Sequence, residues 1–164
     1  EQHSEVVVKG AEALRALLQA HGYPRARKPA QATLDGLMQG YIDLVYRDPA
    51  GRHYVLDYKT NRLPAYDPDS LRRAIRTQDY DLQYLIYLVA LRRWLKLRRG
   101  AAYDDTRDLG GAVYLFMRGI RLHDEDGDVS QSRAGVHVDA VAPMLLAELD
   151  ALFDGAYANA GMPR

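Results

Sequence analysis

Apolar positions along the chain fall into short runs separated by turn chemistry. Val6-Val7-Val8 predicts a short strand. From Ala11 to Ala20 leucines at 14, 17 and 18 recur at helical spacing, and Gly22 is placed to end that helix. Residues 23–33 read as a basic loop, a plain connection or a phosphate contact. Residues 38–47 and 52–60 are both rich in Tyr, Val, Ile and Leu. Asp48-Pro49-Ala50-Gly51 lies between them, so the pair predicts a β-hairpin. A loop marked by Pro64 and Pro68 follows. Asp69 or Ser70 can cap a helix through Thr77, and a second helix is predicted from Asp81 to Leu97. Ala112 to Met117 is continuously apolar, as in a strand buried on both faces. Residues 123–128 read as an acidic surface loop. Asp139 can cap a last amphipathic helix through Phe153. Strand, strand, long helix and buried strand predict an α/β domain: a mixed central sheet flanked by helices, one domain over 1–164.

Composition narrows the chemistry. The 164 residues are 48% hydrophobic and 27% charged, and none is cysteine. Disulfides, zinc–thiolate sites, iron–sulfur clusters and thiol catalysis are thereby excluded. No apolar run approaches the ~20 residues of a membrane span. The first residues carry neither an initiator Met nor a signal-peptide pattern, so the chain reads as a fragment of a larger protein. The net charge is zero, but residues 62–100 carry nine Lys/Arg against four Asp/Glu, and residues 101–164 carry five against eleven. A neutral total argues against a free-standing, high-affinity nucleic-acid binder and leaves room for an enzyme delivered to nucleic acid by a partner.

The hairpin holds the chemistry. Strand alternation puts Val55, Asp57 and Lys59 on one face and Leu56 and Tyr58 on the other. Asp43 interrupts an otherwise apolar strand. If paired residues sum to 100, Asp43 lies opposite Asp57, and two carboxylates and an ammonium converge. Adjacent carboxylates repel and raise each other's pKa, a penalty that a divalent cation removes. An oxygen-only donor set (Asp43, Asp57 and the backbone carbonyl of Tyr58) favours Mg²⁺, Mn²⁺ or Ca²⁺ over zinc. Lys59 can hold or deprotonate a metal-bound water, or stabilise charge developing on a phosphate. The same residues also fit a surface Asp–Lys pair on a half-exposed sheet, worth about 0–1 kcal/mol.

On the second helix Tyr80, Gln83, Tyr84 and Tyr87 share a face. Gln83 and Tyr87 are four apart and can reach one object, such as a phosphate or base edge, or the face can simply pack on a sheet. Further along, Arg92, Arg93 and Lys96 surround Trp94, a pattern that fits contact with a DNA backbone or an ordinary solvated helix end. Asp124 to Asp128 imitates a calcium loop but lacks its glycine and closing glutamate positions. His137 reads as structural, and no serine sits in a nucleophile elbow.

Four segments occur in order and at characteristic spacing: Gly40-Tyr-Ile-Asp-Leu-Val-Tyr46, Tyr54-Val-Leu-Asp-Tyr-Lys-Thr-Asn61, Tyr80-Asp-Leu-Gln-Tyr-Leu-Ile-Tyr87 and Gly110-Gly-Ala-Val-Tyr-Leu-Phe-Met-Arg-Gly119. Together they resemble the RecB-type nuclease domains of the PD-(D/E)XK superfamily, densely over residues 36–121. The resemblance implies that fold and Mg²⁺-dependent hydrolysis of DNA, exonuclease or endonuclease, within a RecBCD-type helicase–nuclease of double-strand-break repair. It implies Asp43 and Asp57 as metal ligands with the Tyr58 carbonyl, Lys59 as the catalytic lysine, and Gln83 and Tyr87 as support for substrate and active site. It also implies the bacterial cytoplasm and, as partners, DNA, the RecC and RecD subunits and RecA. Family members carry an upstream helix with a metal-ligating His, then an acidic residue on the first core strand. On this reading that helix is missing here, neither His3 nor His21 has a matching context, and Glu5 is the candidate strand acid. Two alternatives stand beside it: an AddA-type or other nuclease of the same fold, and a non-catalytic docking module in a DNA-repair complex.

Overall fold

The computed structural model describes residues 2–24, 41–120 and 134–159. The rest of the expected basic loop, residues 38–40 of the expected first hairpin strand and the acidic stretch 123–128 lie outside these residues, and the strand expected over 38–47 is found only from Leu44 to Arg47. The chain divides into two compact units, Glu1–Gly40 with Ala142–Arg164, and Tyr41–Val141.

The first unit is built on two helices, α1 (Gln2–Ala20) and α5 (Pro143–Asn159). Leu14, Leu18, Leu145, Leu146 and Leu149 are its buried side chains. The helix expected over 11–20 extends back to Gln2 and absorbs Val6–Val8, which are not a strand; Glu5 therefore precedes no strand either. Three β-branched residues cost a helix only about 0.5 kcal/mol each, too little to stop one that is Ala- and Leu-rich further on. Gly22 ends it with φ 84°, while Tyr23 N–H donates to Leu18 O at 2.8 Å and Gly22 N–H to Gln19 O at 3.2 Å. This is the left-handed terminus that glycine makes cheap.

The second unit is a four-stranded sheet in the order β1 (Leu44–Arg47), β2 (His53–Lys59), β3 (Leu109–Phe116) and β4 (Val136–Asp139). The outer pairs are antiparallel, whereas β2 and β3 run parallel. Parallel neighbours need a long crossover. Here it contains α2 (Pro68–Thr77), α3 (Tyr80–Arg99), a 3₁₀ turn at Gly100–Ala102 and the short α4 (Asp105–Asp108). Asp67, not Asp69 or Ser70, caps α2. Its carboxylate accepts from the amides of both Asp69 and Ser70, and Pro68 occupies the first turn, where its missing N–H costs nothing. Likewise α5 is not capped by Asp139, which closes β4 instead.

α3 packs on the sheet face that carries Val55, Ala112, Tyr114 and Phe116, and its Leu82, Tyr84, Leu85, Leu88 and Leu95 are buried. Gly111, at φ 125°, sits where β4 comes closest to β3: a Cβ there would stand 2.1 Å from the Asp139 carbonyl oxygen. Glycine is what lets this edge strand pair.

Candidate active site

The hairpin pairs Leu44 with Leu56, Val45 with Val55, Tyr46 with Tyr54 and Arg47 with His53, the register expected from its turn. Within the turn, Asp48 accepts from the Arg52 amide at 2.9 Å and from the Arg52 guanidinium at 2.9 Å. One step further along this register puts Asp43 opposite Asp57. The Asp43 carboxylate, just ahead of β1, accepts from the Tyr58 amide at 3.0 Å.

Asp57 is buried, at 6% exposure, and Lys59 Nζ lies 2.6 Å from its Oδ2. That contact is an ion pair whose angles fall short of a well-aligned hydrogen bond, so the charge of Lys59 is what this buried oxygen leans on. Burial pushes the Asp57 carboxyl above its ordinary range; the Lys59 ammonium opposes the shift and the Asp43 charge adds to it.

Lys59 is held from several sides. Its ammonium donates to Gln83 Oε1 at 3.0 Å and lies 4.1 Å from the ring centre of Tyr80 and 4.9 Å from that of Tyr114. Gln83 Oε1 also accepts from the Tyr114 hydroxyl at 2.9 Å, and its amide donates to Tyr87 Oη at 3.1 Å. Tyr80 in turn donates to Asn61 Oδ1 at 3.1 Å. Gln83 and Tyr87 therefore grip each other, and Gln83 grips the lysine. Tyr114 stands beside Asp57 in the parallel register, and burial pushes its phenol far above the ordinary value, so it stays a neutral donor. Tyr80, Tyr114 and Asn61 were not singled out for this role by sequence, although a hydroxyl inside the apolar run Ala112–Met117 was the available signal.

The basic segment of α3 is rearranged relative to expectation. Arg92 does not stand on a DNA-facing surface: it is 6% exposed and forms a two-pronged pair with Asp105, Nε to Oδ1 at 2.8 Å and Nη2 to Oδ2 at 3.0 Å. It lies on the inward face of the helix among Leu88, Leu91 and Leu95, where a guanidinium needs a carboxylate. Arg93 and Lys96 are exposed. His137, in β4, has the structural surroundings expected of it. Its ring tilts against Tyr84, and burial is the largest cause lowering its pKa.

The donor chemistry bears on a metal. Among the described residues no group of three or more His, Cys, Asp or Glu converges on one point. Asp43 and Asp57 lie close enough for the Asp43 charge to raise the buried Asp57 carboxyl, and that repulsion between oxygen donors is what a hard cation removes. The residues present therefore fit a divalent ion held by oxygen ligands.

The Asp…Asp-x-Lys constellation at the end of β2 follows the residue pattern for which one nuclease superfamily is named. The profile of the PD-(D/E)XK nuclease superfamily matches residues 4–164, and the chain belongs to that superfamily. Within it, the chain is similar to RecBCD enzyme subunit RecB. It is 38% identical to the Escherichia coli K12 protein over 124 residues, 73% of this chain and 10% of that one. Against the Haemophilus influenzae protein it is 35% identical over 146 residues, 87% of this chain and 11% of that one. With the Mycobacterium tuberculosis H37Rv protein the identity is 44% over 91 residues, 53% of this chain and 8% of that one. The chain thus spans about a tenth of the length of these curated relatives.

Proposed function

We propose that the chain hydrolyses phosphodiester bonds of DNA with Mg²⁺, as the nuclease module of a RecBCD-type helicase–nuclease in the bacterial cytoplasm. RecC and RecD would be its fellow subunits. The observation that carries this reading is the convergence of Asp43, Asp57 and Lys59 at one end of β2, with Asp57 buried against the lysine. Asp43 and Asp57 would hold the ion together with the Tyr58 carbonyl; Mn²⁺ or Ca²⁺ fit the same oxygen donors. When bound, the cation supplies Lewis acidity for the attacking water and the scissile phosphate. Lys59 brings a fixed positive charge to where phosphate charge develops, and a charge already in place needs no reorganisation during reaction. Gln83, Tyr80 and Tyr114 keep that ammonium from swinging into solvent. Arg93 and Lys96 remain candidates for contact with the DNA backbone.

End-labelled linear single-stranded DNA tests the proposal. Degradation should require Mg²⁺, stop in EDTA, and fall by about two orders of magnitude or more in Asp57→Ala. Activity surviving Asp57→Ala would overturn the site. A chain that recruits partners equally well with and without Asp57, and cleaves nothing, would be a docking module.

A further inference from the structure

The same sheet face and the same helix that hold Lys59 form a second, chemically different place at their other end. A cavity of about 230 Å³ opens between the hairpin and the last turns of α3, lined by Arg47, His53, Trp94, Leu95, Arg98 and Arg99. Arg47 and His53 are register partners. By strand alternation they share the face of Val45 and Val55, and of Asp43 and Asp57 further along. The cavity lies six residues along β2 from Lys59, about 20 Å by strand rise.

Three arginines line the cavity and no carboxylate does. Arg99 is paired with Asp108, which it shares with Arg107; the Arg47 Nε–H is spent on the Gly51 carbonyl, and the Arg98 guanidinium lies 5.4 Å from the ring centre of Trp94. The His53 Nδ1–H donates to the Asp108 carbonyl at 3.1 Å, which fixes the ring in the wall. Trp94 is 49% exposed, with the Arg98 guanidinium over one side of its ring. Cationic side chains around a half-exposed aromatic ring are the combination that takes an unpaired nucleotide, the base stacking on the ring and the phosphate meeting the arginines. An acidic peptide would use the arginines but not the ring. Between the two ends, Val45 on the edge strand is 40% exposed, so the strip from Arg47 to Asp43 is open along β1.

We propose that this cavity is a second binding site, for an unpaired nucleotide of a single DNA strand several nucleotides away from the bond cut at Asp57. That this strand is the one being cut rests on the function proposed above; binding at the cavity does not.

Trp94 is the only tryptophan in the sequence, so its fluorescence reports the site directly. The protein is titrated in EDTA, where cleavage cannot occur, with oligothymidylate, blunt duplex DNA, inorganic phosphate and polyglutamate. Oligothymidylate should quench Trp94 saturably and more tightly than duplex. In Arg47→Ala/Arg98→Ala the salt dependence of log K should become shallower by about 0.7 per arginine removed. Anisotropy of labelled oligothymidylate should show a loss between about fivefold and a hundredfold in Trp94→Ala, with unchanged far-ultraviolet circular dichroism. Equal response to duplex, response to phosphate or polyglutamate in place of oligothymidylate, no quenching, or affinity unchanged in the variants would each overturn the site. An inactive chain that still gives the oligothymidylate response sinks the nuclease reading alone. An active chain whose Trp94 is silent sinks this site alone.

Discussion

The position of Lys59, the proposed catalytic lysine, is decided by the side chains packed around it. Its ammonium has one carboxylate, one amide oxygen and two tyrosine rings around it, and the amide is itself fixed by Tyr114 at its oxygen and by Tyr87 at its nitrogen. Removing the Gln83 side chain deletes a hydrogen bond to a charged donor, worth about 1.5–3 kcal/mol. Gln83→Ala should therefore lower kcat on single-stranded DNA by roughly ten- to a hundredfold and leave KM nearly unchanged. Tyr114→Phe keeps the ring over the ammonium and loses only the hydroxyl, so kcat should fall about three- to tenfold. Steady-state kinetics over a range of DNA concentration would separate the roles. If KM rises and kcat holds, Gln83 grips DNA instead of the lysine. Asp43, Asp57, Lys59 and Gln83 were legible in the sequence because each is a polar residue placed against a strong local period. Tyr114 was not, because a tyrosine in an apolar strand carries the same signature whether its hydroxyl binds water or an amide.

At the scale of elements, the hairpin was legible to the register because its turn chemistry and two alternating strands agree with each other. Where local signals conflict with context, sequence fails. Val6–Val8 has the composition of a strand and the surroundings of a helix, and the helix wins. β4 is four residues long and follows the acidic stretch with no alternating partner nearby, so nothing marks it until β3 is there to pair with it. α3 misleads in another way. Its basic segment looks uniform, yet Arg92 lies inward against Asp105 while Arg98 lies at the open cavity. These two arginines should behave oppositely. Arg92→Met leaves Asp105 without its ion pair and should cost about 2–3 kcal/mol of stability in urea unfolding, below the value for a fully buried pair because Asp105 keeps the Tyr103 hydroxyl and some water. Single-strand affinity of the folded variant should not change. Arg98→Ala should weaken single-strand binding and leave the stability from urea unfolding within about 0.5 kcal/mol.

For the molecule as a whole the zero net charge conceals buried groups that answer acid with different signs, and the sheet unit carries most of them. His137 sits in β4 with its pKa lowered by burial; Asp139 opposes the shift and Arg72 adds to it. Below the ordinary imidazole value of 6.5 the unfolded chain takes up a proton that the folded one refuses. Stability is therefore whole above pH 6.5 and declines as pH falls, by at most about 1.4 kcal/mol per unit until the folded group protonates. Asp108 acts later. Its carboxylate is held down to about 2, first by the hydrogen bond from Arg107 and then by the Asp104 amide and the nearby Arg99, so its contribution is whole above pH 4 and is lost between about 4 and 2. Asp57 has the opposite sign: its raised carboxyl binds a proton in the folded state first, so it adds stability as pH falls towards 4. Urea midpoints followed through Trp94, which lies in the sheet unit, should therefore decline from pH 6.5 towards 5 and drop again below 4. His137→Phe should remove the first decline and leave the second. A variant that keeps the full slope between pH 6.5 and 5 would show that the proton enters elsewhere.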